Sequence, residues 1–164
     1  MAEQHTVKLL MSEFVTHDVK RFLISKPSGF SFEPGQGMEL AISESPWQDE
    51  ARPFIPTSLT DDGVLEFTIK RYSDHEGMTR ALHRLPSGTE LLLSEPFGTI
   101  SYQGPGVFIA GGAGITPFTA ILREHGAAAR RTRCRLRSDG LNGCQPIGAA
   151  CCWKPVPDRN RPHH

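Results

Sequence analysis

Apolar and polar positions alternate with a period of two over much of the front of the chain, and this alternation predicts β-strands. The runs are TVKLLM (6–11), VKRFLIS (19–25), MELAIS (38–43), VLEFTIKRY (64–72) and TELLLSE (89–95). The fourth is the most regular. Leu65, Phe67 and Ile69 fall on one face, and Glu66, Thr68 and Lys70 on the other. A polar turn at Thr16, His17 and Asp18 divides the first two runs, and KPSGFSFEPGQG (26–37) is rich in turn formers. MTRALHRL (78–85) suits a short helix ending before Pro86, Ser87 and Gly88. Short strands at this spacing predict a mainly β unit, a closed antiparallel barrel or a sandwich, over 1–104.

Past residue 104 the pattern changes. GVFIAGG (106–112) is a continuous apolar run ending in glycines, as expected of a buried parallel strand. TPFTAILRE (116–124) then reads as a helix. Thr116 is placed to be its N-cap, Pro117 occupies the first helical position, and Gly126 is a stop. Phe118, Ile121 and Leu122 share one face. Strand, glycine turn and helix over 105–126 open a Rossmann-like α/β domain. After Gly126 neither period continues, so this second domain is expected to be incomplete.

Composition sharpens that break. The chain of 164 residues has a formal net charge of +0, which gives no general case for binding nucleic acid. Yet eight of the 18 Lys and Arg residues follow Glu124, against only Asp139 and Asp158 of the 18 acids. All four cysteines (Cys134, Cys144, Cys151, Cys152) lie there too. Three readings of 127–164 follow. Cys134, Cys144, Cys151, Cys152, His163 and His164 are a conceivable metal set, but their spacings lack the close pairs of zinc sites. A basic disordered segment fits the low hydrophobicity but not the cysteines and Trp153. A GC-rich gene read out of frame yields Arg, Ala, Gly, Pro, Cys and Trp, the composition of this tail, and the break in mid-domain favours that reading. The N-terminus has no basic region followed by a long apolar run, and no run reaches the roughly 18 residues of a membrane helix. A soluble cytoplasmic protein without a membrane partner is expected.

Three motifs carry candidate chemistry, each with a plain structural alternative. RPFIPTS (52–58) offers the planar fork of Arg52 for a diphosphate, Phe54 for an aromatic ring, and the hydroxyls of Thr57 and Ser58. Pro53 and Pro56 hold it extended, so it equally suits a stiffened edge strand with a surface arginine. HEGMTRAL (75–82) places Gly77, Met78 and Thr79 at a helix start, suited to a phosphate or simply to a cap at Thr79. GGAGITPF (111–118) sets Gly111, Gly112 and Gly114 before Thr116 and Pro117, where a dinucleotide could approach the backbone; a tight βα turn without ligand is the alternative. His17, His75 and His83 lie on turns or the short helix and are expected to be solvated. No nucleophile and base are paired, so no catalytic side chain is assigned.

In order and spacing these motifs resemble the ferredoxin–NADP reductase superfamily, in its bacterial flavodoxin/ferredoxin reductase-like branch, over about residues 5 to 124. The resemblance implies a barrel that binds FAD, with FMN less suited, followed by a domain for NADPH or NADH. It gives Arg52 to the flavin pyrophosphate, Phe54 to the isoalloxazine, and Pro53, Thr57, Ser58 and Ile69 to the surroundings of the flavin. It makes 77–79 a second phosphate loop, EPFG (95–98) the turn closing the barrel, and 111–117 the opening of the nicotinamide site. Ile55 stands where relatives carry Ser or Thr near flavin N5, and Phe54 replaces a common Tyr. The implied activity is hydride transfer from NAD(P)H to FAD, then electrons to an acceptor such as ferredoxin or flavodoxin. Impaired NAD(P)H affinity is expected, because no adenosine-binding segment follows Glu124. The alternatives are a flavin-binding or electron-transfer module without NAD(P)H turnover, and a β-barrel interaction module without flavin.

Overall fold

The computed structural model describes residues 4–72, 76–98, 100–104 and 106–126, with the backbone of two short strands at 135–136 and 151–152. Six strands make one antiparallel sheet: β1 (Gln4–Phe14), β2 (Val19–Ser25), β3 (Met38–Ile42), β4 (Arg52–Phe54), β5 (Val64–Lys70) and β6 (Glu90–Ser94). Their order is β4-β3-β6-β1-β2-β5. Two helices, α1 (Met78–Leu82) and α2 (Thr116–Gly126), accompany them. Strands β7 (Arg135–Leu136) and β8 (Cys151–Cys152) pair only with each other, and the side chains of the proposed cysteine and histidine metal set lie outside the described residues.

β1 explains how one sheet bends into a barrel. Its first half pairs with β6 and its second with β2, and the register shifts between Leu9 and Met11. Such a shift increases local twist and turns the strand at a corner. The two end strands meet through the segment after β4: the Thr57 N–H donates to the Glu66 carbonyl at 2.7 Å, and the Glu66 N–H to Ser58 Oγ at 3.0 Å. The seam between β4 and β5 is therefore nearly closed, which removes most of a free sheet edge.

The interior is what the alternation of β5 predicts. Leu65, Phe67 and Ile69 point inward and are essentially fully buried, while Glu66, Thr68 and Lys70 stay partly exposed on the other face. Phe22, Leu40, Leu91 and Leu93 pack against them. At the base, Gly35 (φ +101°) and the Ile100 backbone meet, with the Ile100 N–H donating to the Gly35 carbonyl at 3.3 Å. Gly37 and Phe97 exchange a pair of backbone bonds beside them. EPFG thus docks on the loop before β3, and Gly98 takes the positive φ (+60°) that the turn needs.

Four expectations need correction. α1 is shorter than 78–85; it ends at Leu82, and a turn covers the rest. Its N-cap is Gly77, in extended conformation, and Thr79 sits inside the helix. Thr116 is not an N-cap either, because its own backbone is already helical (φ −59°, ψ −45°) and a 3-10 turn at Gly112–Ile115 runs straight into α2. The Thr116 hydroxyl donates to the Ala113 carbonyl at 3.1 Å and so has no role in capping amides. Lastly, 106–111 forms no strand. Val107 and Ile109 are 56% and 76% exposed, whereas a buried parallel strand has both faces covered.

α2 nevertheless belongs to the barrel. Ala120 and Ile121 are fully buried, and Pro117 is buried beside them. Arg123, in its last turn, donates to the Thr57 carbonyl and lies 3.5 Å from both Glu66 Oε1 and Asp62 Oδ2. One guanidinium thus spans the strand seam.

Candidate functional site

β3 organises the first two motifs. It pairs with β4 along one edge, with Leu40 opposite Arg52 and Met38 opposite Phe54, and α1 packs against it as well. Arg52 and Pro53 are exposed and Phe54 is half-buried against the core. The Arg52 guanidinium has only weak local partners, the Ala51 carbonyl and Glu50 Oε2, each at 3.5 Å. A cation so loosely held at a sheet edge is available to a stronger anion.

Thr57 and Ser58 are buried, and their hydroxyls are committed within the barrel. Thr57 Oγ1 donates to Glu66 Oε1 at 2.7 Å and lies 3.4 Å from Thr68 Oγ1, and Ser58 Oγ accepts the Glu66 N–H. Their first role is to hold the seam in register. Ile69 is likewise a core side chain, only 3% exposed. Met78 buries its side chain in the core too, so only its backbone faces outward with Gly77 and half-buried Thr79. The amides of these residues precede the helix's own bonds, since the first ones run from the Arg80 and Ala81 N–H groups to the Gly77 carbonyl.

The third motif stands apart, on the approach to α2. Gly111 is extended and Gly112 has φ +54°, and the Gly114 N–H donates to the Gly111 carbonyl at 3.0 Å. Side chains built at Gly111, Gly112 or Gly114 would meet nothing within 4 Å, so this turn faces open space.

His83, expected in solvent, is 5% exposed at the C-cap of α1. Its Nε2–H donates to the Ile69 carbonyl at 3.0 Å, its ring meets Phe22 edge-on, and Nδ1 is buried without a partner. Burial holds its pKa below the ordinary imidazole value; the Ile69 carbonyl opposes this, while Lys20 and Arg71 add to it. A folded-state pKa below the unfolded one means that this contribution to stability is complete above about 6.5, and is lost as pH falls. The thermal midpoint should therefore drop between about pH 7 and about pH 5, and more gently in a His83→Gln variant, which keeps a donor but cannot titrate. A wild-type and variant pair with parallel profiles would contradict this. Asp18 behaves as a carboxylate secured in its turn: burial raises its pKa, but the Thr16 hydroxyl at 2.9 Å and Lys70 at 3.2 Å hold it below the usual value.

Sequence reasoning did not single out Gly35, Trp47 or Arg123. Trp47 packs on the core from the loop before β4 and lines a pocket with Gly77 and Arg80. Among the described residues no group of three His, Cys, Asp or Glu side chains could hold a metal ion, and no helix is long and apolar enough to cross a membrane.

An antiparallel barrel with an arginine strand and a glycine-started helix on one strand is the frame of a flavin-binding oxidoreductase domain. Residues 6–102 match the family model described as the oxidoreductase FAD-binding domain, and the chain belongs to that family. It is 31% identical over 115 residues to the ferredoxin–NAD(P)+ reductase component of the naphthalene 1,2-dioxygenase system of Pseudomonas putida, covering 68% of this chain and 34% of that protein. The reductase component of propane 2-monooxygenase from Rhodococcus jostii is 34% identical over 104 residues, 60% of this chain and 27% of its own. The chain thus spans about a third of the length of these relatives. Among solved structures, the ferredoxin reductase of carbazole 1,9a-dioxygenase superposes with a TM-score of 0.66 at 23% identity, covering 78% of this chain and 40% of that one. A ferredoxin–NADP+ reductase from Neisseria gonorrhoeae, solved with FAD and NADP bound, gives 0.63 at 23%, covering 79% and 55%. These two likenesses establish the fold.

Proposed function

We propose that the barrel binds FAD and forms the flavin half of an NAD(P)H-dependent reductase that passes electrons to a small acceptor such as a ferredoxin or flavodoxin. The observation that carries this reading is the convergence on β3 of a loosely held arginine, a half-exposed phenylalanine and a glycine-led helix start. Arg52 would pair with the cofactor diphosphate, and the Gly77, Met78 and Thr79 amides would add donors to it. Phe54 and Pro53 would bear on the aromatic ring system. Thr57 and Ser58 would act from behind, by keeping the strand seam that carries Arg52 and Phe54 closed. Ile69 would support the same site through the core. When bound, the flavin supplies the redox chemistry; the chain binds it, orients it and limits water around it.

The open glycine turn of 111–114, with Thr116 and Pro117 behind it, would admit the nicotinamide end of NADPH or NADH. The exposed side chains of Val107 and Ile109, in a run that forms no strand, favour a second reading for the isolated chain, flavin binding without NAD(P)H turnover. One titration separates these. Purified protein given FAD should retain absorbance near about 450 nm after gel filtration. Anaerobic bleaching by NADPH or NADH would support the reductase, and retained flavin without bleaching the second reading. No retained flavin would refute both.

A further inference from the structure

We propose that His83 is a proton-sensitive latch on α1. Neutral, it pins the C-terminal end of the helix to β5 and so keeps residues 77–79 in position for the cofactor. Protonated, it leaves its site, and cofactor affinity falls. The cofactor part of this inference rests on the reading above, in which the amides of 77–79 face the FAD diphosphate. α1 has only five residues, Met78–Leu82, too few to stay helical without outside support. Met78 and Leu82 anchor it through the core. His83, its C-cap, ties its far end by polar bonds. The ring Nε2–H donates to the Ile69 carbonyl of β5 at 3.0 Å, and the His83 carbonyl accepts from Lys20 Nζ of β2 at 2.8 Å. One residue thus fastens the helix end to two strands.

The surroundings suit this ring only in its neutral form. A ring that donates from Nε2 carries a bare lone pair at Nδ1, and Nδ1 is buried without a partner among the described residues. A proton there would add a buried N–H with no acceptor and a buried charge, both unfavourable. Burial is the main cost, and the cations Lys20 of β2 and Arg71 after β5 add to it. Arg71 Nε is itself buried without a partner among the described residues. Asp18, in the turn between β1 and β2, is the opposing acid, but it is held by the Thr16 hydroxyl at 2.9 Å and by Lys70 at 3.2 Å. On α1 itself, Arg80 is paired with Glu76 at 2.8 Å. The imidazole therefore takes up a proton by swinging out of the core, where its ordinary basicity returns. That movement gives up the Ile69 bond and loosens the end of α1. Opening is favoured as pH falls below about 6.5, the ordinary imidazole value. By linkage the reverse holds too: a cofactor that needs α1 in place keeps His83 neutral.

The wild-type protein tests this without any substitution. Followed by NMR, the His83 ring should titrate at lower pH with FAD bound than without it. FAD affinity should fall several-fold between about pH 7 and about pH 5.5, over a range where circular dichroism shows the barrel still folded. His83→Gln keeps a donor for Ile69 but cannot titrate, so its affinity should match wild type at about pH 7.5 and fall much less in acid. Identical titration of His83 with and without FAD, or parallel affinity profiles in the two proteins, would overturn the latch. If the wild type binds no flavin at any pH, the function proposed above fails, and the latch is judged by Trp47 instead. Trp47 packs on the core and lines a pocket with Gly77, Arg80 and Arg84, so its fluorescence follows α1. In a Trp153→Phe background it is the sole tryptophan. An acid-induced change in its emission that His83→Gln abolishes would sustain the latch. The same change in both proteins, or none in either, would remove it.

Discussion

Replacing Arg52 by alanine is expected to lower FAD affinity by roughly 10- to 100-fold, the range of losing charge-assisted hydrogen bonds to a diphosphate. Stability of the flavin-free protein should hardly change. Arg52 is 55% exposed and its ion pair with Glu50 is a 3.5 Å surface contact, a type that contributes little. Arg52→Lys should recover only part of the affinity, because an ammonium cannot present two parallel donors. Flavin fluorescence titration of the three proteins measures this. Unchanged affinity in the alanine variant would show that the pyrophosphate is held elsewhere.

The second large effect is structural. Gly35→Ala should destabilise the barrel by about 3 kcal/mol, through a disfavoured backbone and a collision together. At φ +101° a side chain is strained, and a Cβ there would lie 1.9 Å from the Ile100 carbonyl oxygen, with the backbone itself in the way. Gly29→Ala provides the control, since Gly29 has φ +75° but nothing within 4 Å. It should show the conformational penalty alone. Urea midpoints for both variants separate the two contributions, and equal losses would mean that Ile100 yields easily.

The barrel was readable where local periodicity and burial coincide. β5 alternates strictly because one face meets Phe22 and the other meets solvent and charge, so Leu65, Phe67 and Ile69 declared themselves. The seam was not readable, because Thr57, Glu66 and Arg123 come from distant parts of the chain and only the closed sheet brings them together. His83 looked like a surface residue of a polar helix, yet the turn after α1 carries it into the core. The helices begin at Met78 and Thr116 as the pattern predicts, but Thr79 and Thr116 do not cap them, because Gly77 caps the first and a 3-10 turn leads into the second. Arg52 and Phe54 were legible as candidate chemistry through their motif, whereas Trp47 belongs to no motif and its packing on the core shows only in the folded chain.

Arg123 bears on where this polypeptide can be divided. A fragment cut at residue 104, after the last strand of the barrel, would look complete on a sequence map. It would lack the guanidinium that caps the Thr57 carbonyl and reaches both Glu66 and Asp62. It would also uncover the surface that Ala120 and Ile121 shield. The smallest piece expected to fold cooperatively therefore extends through α2, and the helix proposed to open a nucleotide-binding half is part of the barrel's own architecture.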